Sequence, residues 1–246
     1  MASWIYRRPW TDYWQPSRPL LFGRGTRLWF PSTGTAAVSP AFDVGWEDTA
    51  SASPARRPLQ TTASGTAMTT VSFTDASEVD RDILMYQGVS LPLDGAQTID
   101  AQSIRVAIRA RETLDDNQCF MTWLVKVFSN DGTALRGTIV AIGRDDTELD
   151  AITLTSRYLS ASGGSVAALD GDRIVVELGV GGDPIIGTEG HSSSIRVGDV
   201  AASELPYDDS MTTDLNPFIQ FAQTLLFGSE VVVSGLRGIS LLGVGT

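Results

Sequence analysis

The feature that most constrains the fold of this chain is an alternation of apolar and polar side chains with a period of two. The run from residue 104 to 111 sets an apolar series against a series that is mostly arginine: Ile104, Val106, Ile108 and Ala110 against Arg105, Ala107, Arg109 and Arg111. Successive side chains of a β-strand point to opposite faces of a sheet. This run therefore predicts a strand with one buried face and one solvent-exposed, basic face.

A second alternating run predicts a β-hairpin. Residues 121–127 place apolar side chains on one face, and the run ends in Ser129-Asn130-Asp131-Gly132-Thr133, which has the residue types of a tight turn. Residues 135–142 are predicted to return as the partner strand. Further short strands are predicted at residues 151–159, 173–178, 194–197 and 217–225. Short strands with frequent turns and no sustained helical period indicate an all-β fold, an antiparallel two-sheet sandwich that is jelly-roll-like.

Composition divides the chain into three predicted parts. Residues 1–65 hold seven of the eleven prolines, and proline breaks long helices and central strands because it lacks a backbone donor. This segment is predicted to be an extended, aromatic and proline-rich N-terminal arm. Residues 66–227 are predicted to form the sandwich, and residues 228–246 a short β and glycine-rich tail.

The aromatic and arginine residues of the arm are predicted to bind a partner. Disordered linkers are poor in aromatic residues, so these side chains rest either on the chain's own sandwich or on a neighbouring subunit. Aromatic residues and arginine are the usual anchors of protein interfaces. The predicted partner-binding residues of the arm are Trp4, Tyr6, Arg7, Arg8, Trp10, Tyr13, Trp14 and Trp29.

The tail contains a β-branched run, Val231, Val232 and Val233, after the predicted sandwich is complete. Such a run either closes an edge of the chain's own sandwich or adds a strand to another subunit. We include the three valines among the predicted partner-binding residues.

Charge and hydropathy narrow the classes of partner. The formal net charge is −11, and nucleic-acid affinity comes largely from Lys and Arg that displace counterions, so nucleic acid is not an expected partner. No window approaches the roughly 18 apolar residues of a membrane span. The first ten residues contain charges and a proline where a signal peptide needs an apolar stretch. Synthesis in the cytoplasm without a signal peptide is therefore expected.

The residues that could carry chemistry do not form a recognisable motif. Cys119 is the only cysteine, which excludes an internal disulfide and a cysteine-based metal site. His191 is the only histidine, and no Gly-x-Ser-x-Gly motif accompanies it. The carboxylates at 145–150 and 208–209 lack the spacing of a Ca²⁺ loop or a glycosidase pair, and the glycines at 179–182 are expected to lie in a loop. The sequence thus predicts no catalytic residue, no metal site, no cofactor and no enzymatic activity.

Six segments together resemble a family of structural proteins from the virions of tailed bacteriophages and prophages. They cover most of residues 27–227 and are Phe42-Asp43-Val44-Gly45-Trp46-Glu47, Arg81-Asp82, residues 107–112, residues 129–132, residues 171–179 and residues 214–221. The resemblance implies a jelly-roll-like module on a virus particle, as capsid decoration or cement, or as a tail or fibre component. The expected partners are other capsid or tail proteins and further copies of the chain, as trimers if it occupies three-fold positions or forms fibres.

A glycan-binding receptor or adhesion module on the virion surface is the alternative function. Many β-sandwiches bind sugars on aromatic rings beside a few polar groups. The loop-borne tyrosines that could contact a host-surface glycan are Tyr86, Tyr158 and Tyr207.

Overall fold

The computed structural model describes residues 25–50, 54–63, 65–75, 79–113, 118–150, 153–182, 191–200, 203–205 and 215–229. Within these residues the protein is all-β, and no helix is present. Two six-stranded sheets pack face to face as a sandwich. The predicted all-β two-sheet fold is therefore confirmed.

Fourteen strands lie in the described residues: β1 (Arg27–Trp29), β2 (Asp48–Thr49), β3 (Arg56–Pro58), β4 (Thr69–Asp75), β5 (Arg81–Val89), β6 (Gln97–Ile99), β7 (Ser103–Glu112), β8 (Cys119–Phe128), β9 (Leu135–Glu148), β10 (Thr155–Ser162), β11 (Val166–Ala168), β12 (Arg173–Gly182), β13 (His191–Val197) and β14 (Phe218–Phe221).

The first sheet is organised around β7, and all its pairings are antiparallel. One edge of β7 pairs with β10 along residues 103–110. The other edge pairs with β14 over residues 104–107 and with β13 over residues 109–112. Strand β1 then pairs with β14, and β4 pairs with β13, so these two strands share one side of the sheet.

The second sheet has the order β2 and β3, β5, β12, β8, β9. Strands β2 and β3 run parallel to β5, and the other neighbours are antiparallel. The predicted hairpin is present as β8 and β9, and β9 extends to Glu148, beyond the predicted end at Ile142. Strands β6 and β11 form a separate two-stranded sheet.

The core lies between the two sheets and is made by the alternating residues that the sequence singles out. Ile104, Val106 and Ile108 of β7 are fully buried there, together with Val125 of β8 and Val176 of β12. One face of each of these strands is therefore assigned correctly by the period-two pattern.

The prediction of a solvent-exposed basic face on β7 is wrong at its centre. Arg109 is fully buried, and its Nη2 lies 3.1 Å from Oδ2 of Asp199, which is buried as well. On the same outer face, Ala107 packs with Leu205 and Phe218. Asp199 and Leu205, which follow β13 in the chain, therefore cover the centre of this face.

The structure also places part of the predicted N-terminal arm in the sandwich. Strands β1, β2 and β3 all lie before residue 66, and Leu28, Phe30 and Leu59 belong to the core. Residues 1–24 lie outside the described residues. The glycines at 179–182, expected in a loop, instead form the end of β12. Gly179 fits there because the backbone oxygen of Ile83 and the ring of Trp46 occupy the space that a Cβ would need.

Candidate interaction surface

The described chain begins and ends at the same end of the sandwich. The backbone N–H of Thr26 donates to the Gln223 carbonyl oxygen (2.9 Å), just after β14. The N–H of Leu225 donates to Oγ1 of Thr26 (2.6 Å). Shortly before the described chain ends at Ser229, the N–H of Gly228 donates to the carbonyl oxygen of Pro92 (2.8 Å). Residues 1–24 and 230–246 therefore both connect to this end, which we call the terminal face.

The terminal face consists of residues 91–95, 129–136, 169–172 and 223–229. Strand register defines it, because β5, β8 and β12 have their ends here: Phe128 pairs with Arg173, and Val89 pairs with Val175. Turns are needed at this end, and glycines provide them. Gly95, with φ of 74°, and Gly171, with φ of 81°, adopt backbone conformations that other residues rarely take.

Three leucines are exposed on the terminal face. The exposed fractions are 51% for Leu135, 52% for Leu169 and 58% for Leu226. Single exposed apolar residues are ordinary on protein surfaces. Three at one end of the sandwich, the end to which both undescribed termini connect, make this face the candidate interaction surface.

Polar contacts hold the turns that carry these leucines. Nε of Arg136, next to Leu135, donates to both carboxylate oxygens of Asp172, at 3.2 and 3.1 Å. Oδ2 of Asp172 also accepts the backbone N–H of Leu169 (2.8 Å). The same buried carboxylate therefore fixes the positions of Leu135 and Leu169 relative to each other.

Further hydrogen bonds connect the turn of Leu169 to Leu226. Oδ1 of Asp170 accepts the backbone N–H of Gly95 (2.8 Å), and the N–H of Asp94 donates to the carbonyl oxygen of Leu226 (2.9 Å). Nε2 of Gln97 donates to that same carbonyl oxygen (2.8 Å). The three leucines thus project from turns that are bonded to one another.

The leucines lie among exposed carboxylates. Asp94, Asp131 and Asp170 are exposed on the terminal face, and Asp100 is exposed near it. Hydrogen bonds from the Ser129 hydroxyl and from the amide and hydroxyl of Thr133 lower the pKa of Asp131 to about 2. Arg136, the exposed cation among them, is engaged by Asp172. The terminal face is therefore acidic as well as apolar.

Of the predicted arm residues, Trp29 is described. It lies half-buried in β1, with its ring centroid 6.5 Å from that of Phe218. It lines a groove of about 340 Å³ that is shared with Glu204, Leu225 and Phe227 and adjoins the terminal face. The other predicted partner-binding residues lie outside the described residues: Trp4, Tyr6, Arg7, Arg8, Trp10, Tyr13, Trp14, Val231, Val232 and Val233.

Of the three predicted glycan-contacting tyrosines, the two that are described, Tyr86 and Tyr158, lie in different sheets. Tyr86 is 2% exposed, its ring meets Phe30 edge-on at 5.7 Å, and its hydroxyl donates to the Pro31 carbonyl oxygen (3.1 Å). Burial raises its pKa above the usual range. Tyr158 is half-buried on β10, and Tyr207 lies outside the described residues. Tyr86 has no open face on which a sugar could stack.

The one cysteine of the chain, Cys119, has a buried thiol. Burial, with smaller contributions from Glu112 and Glu148, raises the pKa of Cys119 to about 12, so its thiol stays protonated at neutral pH. The side chain of His191 lies outside the described part of the molecule. Among described residues, no three His, Cys, Asp or Glu side chains are placed to hold a metal ion. These residues also contain no helix with the length and apolar character that a membrane crossing requires.

A buried carboxylate that the sequence did not indicate organises the outer face of the second sheet. Glu177 of β12 accepts hydrogen bonds from Nε2 of Gln87 (2.7 Å), Nε1 of Trp46 (2.5 Å) and the N–H of Asp43 (3.1 Å). Burial raises its pKa, although these donors and Lys126 act in the opposite direction. The network fixes residues 40–47 across the sheet and leaves Val44 99% exposed at the tip. The sequence feature that could have indicated this network is a single Glu within an apolar strand, together with Asp43 and Trp46 in a nearby loop segment.

Comparisons with known proteins identify no family and only distant structural matches. No protein-family model matches the chain, and no curated protein matches its sequence. Among solved structures, a CocE/NonD family hydrolase from Staphylococcus aureus matches with 8% identity over 82% of this chain and 36% of its own, at a TM-score of 0.45. An alpha-amino acid ester hydrolase matches with 12% identity over 80% of this chain and 36% of its own, also at 0.45. The chain spans about a third of the length of these hydrolases.

A viral capsid protein is among the weaker matches. The VP2 subviral particle of infectious bursal disease virus matches with 13% identity over 65% of this chain and 42% of its own, at a TM-score of 0.21. The hydrolase matches contradict the prediction that the chain is not an enzyme, and we withdraw that exclusion. At these TM-scores and identities, they assign no catalytic role to any residue here.

Proposed function

We propose that this chain is a structural protein of a virus particle, attached to a tailed bacteriophage as capsid decoration or cement, or as a tail-fibre component. The observation that carries the proposal is the terminal face. Both undescribed ends of the chain connect to it, and three exposed leucines surround the exits. A folded body whose attachment segments all leave at one end is suited to being mounted on a larger assembly.

The charges of the terminal face and of residues 1–24 are opposite, which favours a role for both in attachment. The terminal face presents Asp94, Asp131 and Asp170, whereas residues 1–24 contain four arginines and one aspartate. The aspartates of the terminal face can pair with cations of a partner, and the arginines of residues 1–24 can pair with its carboxylates. The exposed leucines and the tryptophans of the arm can exclude water around those pairs. The docking surface of the particle is therefore expected to be mixed, with apolar pockets and charges of both signs.

The resemblance of six sequence segments to virion proteins supports the same role. Several of these segments have structural tasks in this fold, including Phe42–Glu47 on the outer face of the second sheet and residues 171–179 in β12. Glycan binding has less support. Of the three tyrosines considered for it, Tyr86 is buried, and the half-buried Tyr158 is the one described tyrosine with accessible surface.

The proposal is tested by replacing the exposed leucines. Leu135→Ser, Leu169→Ser and Leu226→Ser in one chain should leave the fold intact, because none of these side chains is in the core. We expect the copy number of the triple variant in purified particles to fall at least about tenfold, as the loss of a few interface anchors worth about 1–2 kcal/mol each implies. Quantitative mass spectrometry of the particles measures it.

A matched control is Val79→Ser. Val79 is 56% exposed and lies at the opposite end of the sandwich, just before β5. This variant should join particles at the wild-type copy number. Full occupancy by the triple leucine variant, or absence of the wild-type chain from purified particles, would contradict the proposed function.

A further inference from the structure

Strand β4 has an open edge. It is the last strand of the first sheet on its side, and no described strand pairs with its outer edge. Its sequence, Thr-Thr-Val-Ser-Phe-Thr-Asp, contains neither lysine nor proline, and its register with β13 is unbroken over all seven residues. Exposed edge strands usually carry lysine, proline or a break in register, because these features hinder the free N–H and C=O groups of the edge from pairing with another strand. The outer edge strand β9, by contrast, carries several charges and register shifts.

An opening between the sheets lies beside this edge. It has a volume of about 330 Å³. Its lining is mixed: apolar Val71, Met85 and Val197 lie beside Arg57, Tyr86 and the hydroxyl groups of β4, and the remaining lining residues are Ser32, Ala50 and Ala55. A strand added to β4 would place alternate side chains into this opening. The site therefore combines an edge for backbone pairing with an opening for alternate side chains, which are the two components of strand addition.

The tail of the chain has the matching composition. Residues 230–234 read Glu-Val-Val-Val-Ser, and the three valines are β-branched residues that favour strands. In an extended conformation, Val231 and Val233 share one face and Val232 points the other way. Side chains of this size can contact the apolar part of the opening, which Val71, Met85 and Val197 provide.

The register of the first sheet places Val71, near the middle of β4, beyond the reach of Val231–Val233 in the same chain. Val71 pairs with Ile195, which pairs with Ala110, whereas Phe221 pairs with Ile104. Ala110 and Ile104 are six residues apart along β7, so Val71 and Phe221 are separated by about 20 Å along the strand direction. The described chain ends at Ser229 on the terminal face, and Val231–Val233 follow it by two to four residues, a reach of at most about 14 Å.

We propose that residues 230–234 of one copy pair with the edge of β4 in a neighbouring copy, with the valines entering the opening beside it. The chain would then assemble with itself through exchanged tails. Because each copy offers one tail and one acceptor edge, the contact is heterologous and produces a ring or an open chain of copies. This contact does not depend on the virion role.

The pairing is tested with two variants of the full chain, each with one added cysteine. Ser72→Cys lies on β4, and Val232→Cys lies in the tail. The native Cys119 is buried and stays protonated, so it does not compete. When the two variants are mixed and oxidised, we expect a disulfide between positions 72 and 232 of different chains, identified by peptide mass spectrometry. Val231→Cys and Val233→Cys define the register.

Two controls make the outcome decisive. Thr133→Cys, exposed on the terminal face, should form at least about tenfold less disulfide with Val232→Cys than Ser72→Cys does. In sedimentation experiments, Val231→Asp with Val233→Asp should convert the assembly to the 26.3 kDa monomer. Equal cross-linking at Thr133, a wild-type chain that is monomeric at all concentrations, or an assembly unaffected by the two aspartates would overturn the proposal. Particles are not needed, so failure here is separate from failure of the proposed function.

Discussion

At the scale of single residues, the alternation along β7 predicts the buried face correctly, but its prediction that the other face is exposed is wrong at Arg109. Ile104, Val106 and Ile108 point into the core because the second sheet packs over that face. Arg109 is equally buried, but its partner Asp199 lies 90 residues later in the chain. A period-two pattern reports which residues share a face, not whether a distant segment covers that face. The paired charge was therefore not predictable from the strand alone.

The buried pair leads to a prediction about stability. Asp199→Ala leaves the Arg109 guanidinium buried without this carboxylate, and we expect the free energy of unfolding to fall by about 3–5 kcal/mol. Arg109→Met combined with Asp199→Leu removes both charges and should restore most of that loss. Urea denaturation measures both. Arg105→Met, an exposed arginine on the same face of the same strand, should change stability by no more than about 0.5 kcal/mol. Equal losses in the single and double variants would contradict the buried-pair interpretation.

At the scale of elements, residues 40–47 show how a loop can cover a sheet without a strand of its own. Trp46 lies against Gly179 of β12, where a Cβ would approach the indole to 2.6 Å. Its N–H then reaches Glu177 on the same strand. The segment is also held by Arg56, whose guanidinium lies 4.0 Å over the Phe42 ring. The glycines at 179–182, which the sequence pattern predicted to be a loop, are thus strand residues. At position 179 a side chain would collide with the ring of Trp46.

Because Glu177 has a raised pKa, the anchoring of residues 40–47 should depend on pH. In the unfolded chain this carboxyl ionises near 4.5, whereas the folded protein retains the proton to higher pH. Folded protein thus binds more protons in that interval, and stability falls as pH rises from about 4.5 through the folded pKa. Glu177→Gln cannot titrate. The difference in unfolding free energy, wild type minus Glu177→Gln, should therefore fall with rising pH and then become constant.

The check is urea denaturation of both proteins at a series of pH values from about 4 to 8. Trp46→Phe removes one hydrogen bond that lowers the pKa of Glu177, so the decline should extend to higher pH in that variant. A difference that stays flat or increases with pH would contradict the raised pKa. Both variants keep the ion pair of Asp43 with Lys126, which limits the change to the buried carboxylate.

At the scale of the whole molecule, sequence pattern was sufficient for the fold class but not for where the folded body begins. Period-two runs and turn residues indicate two antiparallel sheets wherever they occur. Strands β1, β2 and β3 have two or three residues each, too few to show an alternation, and β3 contains a proline. Their position depends on long-range pairing with β14 and β5. The terminal face likewise emerges from four separate turns, which no local pattern connects.

This placement of β1 to β3 predicts how far the chain can be shortened. A chain beginning at Gly25 keeps every described strand, and its free energy of unfolding should stay within about 1 kcal/mol of the full chain. A chain beginning at Thr61 loses Leu28, Phe30 and Leu59, each fully buried. At roughly 1.5–3 kcal/mol per side chain, that loss approaches the 5–15 kcal/mol that keeps a typical domain folded.

We therefore expect a cooperative urea transition for the chain from Gly25 and none for the chain from Thr61. A cooperative transition in the shorter chain would show that residues 25–60 are an appendage, and attachment could then involve all of them. With the expected result, the segment available for docking is confined to residues 1–24, because residues 25–60 cannot be pulled away from the sandwich without unfolding it. That segment is then attached to the sandwich at the terminal face, where Gly25 is held against the end of β14.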